Sequence, residues 1–328
     1  MPHARIDVHA HFLPPFYRDA LQSHGHAHPD GMPAHLLPPP PPSSPANLTR
    51  RCNAHAASLK QAHPDKIGFW ASLPLPSVSD TLAEIETAAA SGASGFGFMT
   101  NYQGRYLGDP AFDAVFAELN RRKAIIFIHP TTPCCPASSP SPAPIEATPL
   151  APLYPNPLLE FFFDTARCVA NLFLSGTVAR YPDLTFIIPH CGGAFPPLLN
   201  RFVGFSGVVP ARAGQKESAA LDPDWVQRVL NERFYFDTAG FVFSNGEGVQ
   251  SNQLEGLLGG CGIGKERLLY GSDYPFTPAS SVERMAGQLD GGLIRMFGGE
   301  GVAASEEILR SNAERLLGSV GPERGEKL

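Results

Sequence analysis

Four short apolar runs in this chain end in side chains that can bind a metal ion or move a proton. The chain opens with RIDVHAHF, which places His9 and His11 one residue apart. In a strand, alternate side chains share a face, so the two imidazoles stand side by side and can hold one ion. AIIFIHP ends in His129, LTFIIPHCGG leads into His190, and RLLYGSDYPF leads into Asp273. Three of these four imidazoles with the carboxylate would suit Zn²⁺ or a similar divalent ion, with a position left open for water or substrate. Singly, each feature has an ordinary explanation. HxH near the start can be incidental, and His129 before Pro130 can be a core histidine bonded to backbone. His190 before Cys-Gly-Gly can mark a tight turn, and Asp273 can cap a helix. Their recurrence at successive strand ends is what points to a site.

The elements that must carry these residues alternate. Apolar runs rich in β-branched and aromatic residues predict strands at Arg5–Val8, Ile67–Leu73, Gly95–Met99, Ile125–His129, Leu184–Pro189, Phe234–Asp237 and Leu268–Tyr270. Helical patterns lie between most of them, at Ser79–Ala90, Ala111–Arg122, Leu159–Arg180, Asp222–Glu232 and Pro278–Met285. Ser305–Leu317 follows as a helix capped by Ser305. Such alternation predicts an α/β fold with a parallel sheet, one strand short of eight, and ligands bind at the carboxyl ends of such strands. Residues 23–46 are rich in Pro and His, and residues 131–157 in Pro and Ser, so both read as long loops. His24, His26 and His28 in the first of these read as a solvated cluster with no strand to rigidify it.

The bulk properties narrow the partners. The 328 residues carry a net charge of −6, with 43% apolar and 17% charged residues. That balance suits a soluble protein with a sizeable core, and it offers no basic footprint for nucleic acid or an anionic membrane. No signal peptide is visible. The most apolar stretch, Phe161 to Val178, is interrupted by Asp164 and Arg167 and makes a poor membrane span. The six cysteines form no CxxC pair and read as reduced thiols in a cytosolic protein, with only Cys191 close to the chemistry.

DVHAHF, the HP at 129–130, HCGGAFP at 190–196 and GSDYPF at 271–276 together resemble the amidohydrolase superfamily, in particular its branch of metal-dependent nonoxidative decarboxylases. The resemblance runs from residue 7 to residue 276. It implies a distorted (β/α)8 TIM barrel, here one domain over residues 1–328 carrying the two Pro-rich insertions, and a homodimer or dimer-based tetramer. It makes His9, His11, His129 and Asp273 the metal ligands and His190 a non-ligand active-site histidine. Cys191 stands where that motif often has glycine. The ion it implies is Zn²⁺, with Mn²⁺ as the alternative. Arg201 matches an arginine that serves the active site in relatives, in some from the neighbouring subunit. Phe276 matches an aromatic that packs on the substrate ring, and Phe195 is a second candidate for that wall. Asp7 reads as structural.

The chemistry so implied is loss of CO₂ from a small aromatic carboxylate, an ortho-hydroxybenzoate, whose carboxylate and phenolic oxygen chelate one cation. Protonating the carboxyl-bearing ring carbon first gives a tetrahedral centre that releases CO₂ as aromaticity returns. Asp273 is the expected donor, with His190 orienting the substrate and standing as the alternative donor. The opening stretch and the insertions resemble the fungal group that converts 6-methylsalicylate to m-cresol in polyketide pathways. The competing reading is hydrolysis of a lactone, ester or amide by metal-activated water, with Asp273 as general base.

Overall fold

Short apolar strands alternating with helices pair with one another in parallel, and the computed structural model shows this within each part of the chain. It describes residues 4–23, 25, 45–136, 144–151, 153–208, 220–243 and 251–318. The chain divides into two compact units, one of Leu13–Thr185 and one combining the residues up to Phe12 with those from Phe186 onward.

The 13–185 unit begins with α1 (Pro15–Ser23) and α2 (Pro45–Ala62), neither of which the sequence patterns predicted. Then come β1 (Trp70–Ser72), α3 (Val78–Ala90), β2 (Gly95–Met99), the hairpin β3 (Asn101–Tyr102) and β4 (Arg105–Tyr106), α4 (Asp113–Arg121) and β5 (Ile125–His129). β2 pairs in parallel with β1 on one side and β5 on the other, with Trp70 opposite Gly95 and Met99 opposite His129. The first four residues of β5 are all buried, as in a strand covered on both faces. The helices pack by their apolar stripes: α3 buries Thr81, Ile85 and Ala88, and α4 buries Val115, Phe116 and Leu119. The strands approach so closely at Gly95 that a Cβ there would lie 2.5 Å from the Ile125 carbonyl oxygen.

Two expectations in this unit are corrected. The 131–157 segment is not all loop, because β6 (Cys134–Cys135) pairs antiparallel with β7 (Ile145–Glu146). The single helix expected over 159–180 is two, α5 (Glu160–Leu174) and α6 (Thr177–Arg180), separated where Gly176 takes φ +76°. His24, His26, His28 and the proline run at 38–42 lie outside the described residues.

In the other unit β8 (Thr185–Ile188), β9 (Phe234–Asp237) and β10 (Leu268–Leu269) are parallel neighbours, in register at Phe186–Phe234 and Leu268–Phe236. Between β8 and β9 lie α7 (Leu199–Ser206) and α8 (Pro223–Arg233), the latter capped by Asp222, whose side chain accepts the Asp224 N–H. α9 (Asn252–Glu255) precedes β10, and α10 (Ala279–Phe297) runs well beyond its expected end. The opening segment forms no strand. It makes two isolated parallel bridges, Asp7 to Tyr270 and Ala10 to Tyr274, because the Asp7 carboxylate takes the N–H groups of His9 and Ser272. Ser305 is not a cap: helix runs from Gly301 to Gly318 through a π-turn at Glu307–Ser311, and Ser305 is fully buried within it. All six cysteines are free thiols, and no described helix is long and apolar enough to cross a membrane.

Candidate metal centre

The two bridges bring together residues some 260 positions apart. Val8 N–H donates to Tyr270 O at 3.0 Å, Asp273 N–H to His9 O at 2.7 Å and His11 N–H to Tyr274 O at 2.7 Å. His9, His11 and Asp273 therefore face one another. Gly271 permits the approach, since a Cβ there would lie 2.8 Å from the His9 Cβ and 3.2 Å from the Asp237 Cγ.

Asp273 Oδ1 lies 3.0 Å from His11 Nε2 and 3.4 Å from His9 Nε2. Donor atoms bound at about 2.0–2.2 Å in a tetrahedral shell are about 3.3–3.6 Å apart, so three atoms already stand close to the spacing a divalent ion requires. The His9 ring lies 5.1 Å from the His11 ring and 5.1 Å from the His190 ring, and Phe276 meets His11 edge-on at 4.8 Å.

The group behind these imidazoles is Asp237, the last residue of β9 and fully buried. Its Oδ2 accepts the His9 Nδ1–H at 2.9 Å, while Oδ1 accepts the His190 N–H at 2.9 Å and the Ala239 N–H at 3.0 Å. A carboxylate is acceptor-only, so it fixes the proton of His9 on Nδ1 and directs the Nε2 lone pair toward Asp273. His190 Nδ1 sits 3.2 Å from Ala239 O, and Gln253 on α9 donates to His190 O at 3.2 Å. His190, Cys191 and Asp273 all adopt left-handed backbone, with φ of 52°, 51° and 58°. For non-glycine residues this is strain, and such strain concentrates where geometry serves function.

Burial works against a charge on His9, but Asp237 beside it outweighs burial and raises its pKa. Burial, with His9 nearby, lowers the pKa of both His11 and His190. Burial would also raise the pKa of Asp273. The His11 hydrogen bond and the neighbouring imidazoles of His9 and His190 prevail and hold its carboxyl well below the usual carboxylate range.

The remaining candidates are placed differently. His129 closes β5 in the 13–185 unit, where its Nδ1–H donates to Pro130 O at 2.7 Å and leaves Nε2 as the nitrogen with the lone pair. Phe276 is partly exposed. Phe195 is fully buried, stacked on Phe236 with the Phe202 ring 5.9 Å away, and packs the core behind the His190 turn. Arg201 lies on the exposed side of α7 with its guanidinium 5.3 Å from the Phe205 ring centre. Cys191 is buried, and desolvation pushes its thiol far above its ordinary value. Asp237 escaped the sequence reading. Its signal is the acid that ends the strand in FYFDTAG, the same strand-end position that singled out Asp273.

Residues 6–245 match the amidohydrolase family model. The chain is 31% identical to the decarboxylase yanB of Aspergillus niger, covering 95% of this chain and 87% of that protein. It is 30% identical to 6-methylsalicylic acid decarboxylase of Penicillium expansum, covering 88% and 90%. Among solved structures, an amidohydrolase II shares 29% identity with a TM-score of 0.73, covering 96% of this chain and all of that one.

Proposed function

The chain belongs to the amidohydrolase family, and we propose that it is a carboxy-lyase that removes CO₂ nonoxidatively from an ortho-hydroxybenzoate. The preferred substrate in this reading is 6-methylsalicylate, giving m-cresol. The observation that carries it is the convergence of His9, His11 and Asp273 on one point, with His190 alongside and the Phe276 ring against His11.

His9, His11 and Asp273 would hold a divalent ion, Zn²⁺ before Mn²⁺, and His129 would supply the further ligand through Nε2. When bound, the ion supplies Lewis-acid charge for the adjacent carboxylate and phenolic oxygens of the substrate. The residues of the chain do the rest. Asp273 is ionised at rest, so its proton comes from the substrate's own phenolic hydroxyl. Asp273 then delivers that proton to the ring carbon bearing the carboxylate. The carbon–carbon bond breaks, its electron pair returns to the ring, CO₂ leaves and the phenolate takes a proton from solvent. His190, oriented by Ala239 O and Gln253, positions the substrate and stands as the second donor. Phe276 lies against the ring, and Phe195 backs the His190 turn from the core.

Arg201 shares its surface with the exposed side chains of Leu198, Phe205 and Val208. A second copy covering that face would bury them and bring Arg201 to the partner's substrate, so the working unit in this reading is a homodimer or a dimer-based tetramer. The six free thiols fit a cytosolic enzyme, in fungal secondary metabolism if the substrate is 6-methylsalicylate.

The test is incubation of metal-loaded protein with 6-methylsalicylate and a panel of other ortho-hydroxybenzoates, with phenols separated by chromatography and CO₂ measured. m-Cresol with equimolar CO₂ is the expected result. No phenol from any member, with ring opening of a lactone instead, would replace decarboxylation by hydrolysis at the same centre.

A further inference from the structure

Asp164, on α5 in the 13–185 unit, is fully buried and takes no part in the chemistry above. Its Oδ2 accepts the hydroxyl of Thr100 and the Asn101 side-chain amide, the latter at 2.9 Å, and its Oδ1 accepts the Tyr106 hydroxyl. Arg167, one turn along, is half-exposed with its guanidinium 3.7 Å from Oδ1. Thr100 and Asn101 follow β2 directly, next to the Met99–His129 register pair. They grip the backbone at His129 and in the residues just after it. Thr100 N–H donates to His129 O at 2.9 Å, Thr100 Oγ1 accepts the Thr131 N–H at 3.2 Å, and the Asn101 amide donates to Thr132 O at 3.2 Å. The same helix sets Phe161 edge-on to the His129 ring at 6.2 Å.

The need for these anchors is in the sequence. Pro130 has no N–H and cannot continue the β5 ladder, so the His-Pro-Thr-Thr segment depends on side chains to hold it. A hydroxyl has one proton. When Thr100 gives it to Asp164, its lone pairs are left for the Thr131 N–H. A carboxylate suits the position because three donors converge on it, and an amide would turn its own donor against one of them. We infer that Asp164 is a positioning residue for His129: through Thr100 and Asn101 it fixes the strand end that presents the His129 imidazole. This rests on the reading in which His129 ligates the metal.

The test uses the full chain and Co²⁺, whose visible absorption reports both affinity and ligand field. His129→Ala sets the size of a lost ligand. Asp164→Asn and Thr100→Val are each expected to weaken Co²⁺ binding by about 10-fold or more and to shift the absorption band. The double variant should be little worse than either single one, because both break the same link. Thr100→Ser restores the hydroxyl and should restore affinity and band. A purely structural role would lower the melting temperature but leave the affinity and spectrum of the folded protein unchanged. Wild-type protein that takes up no Co²⁺, or a His129→Ala variant that binds it normally, would overturn the ligand reading and this inference with it. A strong His129→Ala effect beside wild-type affinity in Thr100→Val would overturn the inference alone. Thr100→Val decides the matter even if Asp164→Asn does not fold.

Discussion

Replacing Asp237 by Asn separates its electrostatic role from its structural one. The Asp237 Oδ1 serves two backbone donors, the N–H groups of His190 and Ala239. An asparagine keeps its carbonyl oxygen there, so its amide faces His9 Nδ1. That nitrogen then has to accept, and the His9 proton moves to Nε2, the atom 3.4 Å from Asp273 Oδ1. A ligand held in the wrong tautomer should weaken metal binding by about 10- to 100-fold, which is about 1.4–2.7 kcal/mol. The fold keeps the number of hydrogen bonds while all three lose their charge assistance, a loss partly offset because a charge is no longer buried, roughly 1–2 kcal/mol in all. Asp237→Ala strips the acceptor from all three donors and should cost roughly 3–5 kcal/mol of stability. The assay pairs chelator competition for the metal with urea unfolding of the metal-free protein. Asp237→Asn with wild-type metal affinity would refute the tautomer argument. So would equal stability losses in the two variants, which would reduce Asp237 to a backbone anchor.

Three further outcomes follow from the same contacts. Gly271→Ala pushes a methyl to within 2.8 Å of the His9 Cβ, and should cost about 1–3 kcal/mol in thermal unfolding and lower metal occupancy. His190→Asn should cut turnover far more than metal content, and equal losses measured by metal analysis would make His190 a ligand. Glu118 on α4 accepts from Arg121 and Arg122, and those arginines hold its carboxyl down at about 2 against an ordinary 4.5. Because the folded value is the lower one, its stabilisation is present above the unfolded value and is lost as pH falls toward about 2. Screened by solvent, it amounts to about 0.5–1 kcal/mol. Glu118→Gln should therefore unfold more easily at neutral pH and match wild type near the acid end, as paired denaturation curves would show.

Much of this architecture is legible along the chain because its signals are local. The β-branched and aromatic runs around Gly95–Met99, Ile125–His129 and Phe234–Asp237 are strands at the predicted bounds, since a fully buried parallel strand needs only its own composition to be recognised. Failures came where local rules meet tertiary ones. Ser305 looks like a cap but lies inside a helix, because its burial outweighs its preference. The opening run looks like a strand but makes bridges only, because the Asp7 side chain replaces ladder partners. α2 was hidden by a proline-rich approach and a weakly patterned, alanine-rich helix.

The site divides in the same way. The sequence by itself determined which residue types follow the short apolar runs, since HxH, His-Pro, His-Cys-Gly-Gly and Gly-Ser-Asp are contiguous and readable without a partner. Only the tertiary structure decided that residues 7–11 lie along residues 270–274, because that pairing is made of backbone hydrogen bonds, which leave no periodic signature in the sequence. It alone decided that Asp237 holds His9 and His190 together and that Asp164 anchors the backbone around His129. A buried carboxylate is expensive to desolvate and has no periodic signature, so its purpose becomes visible only when the donors that converge on it are in place.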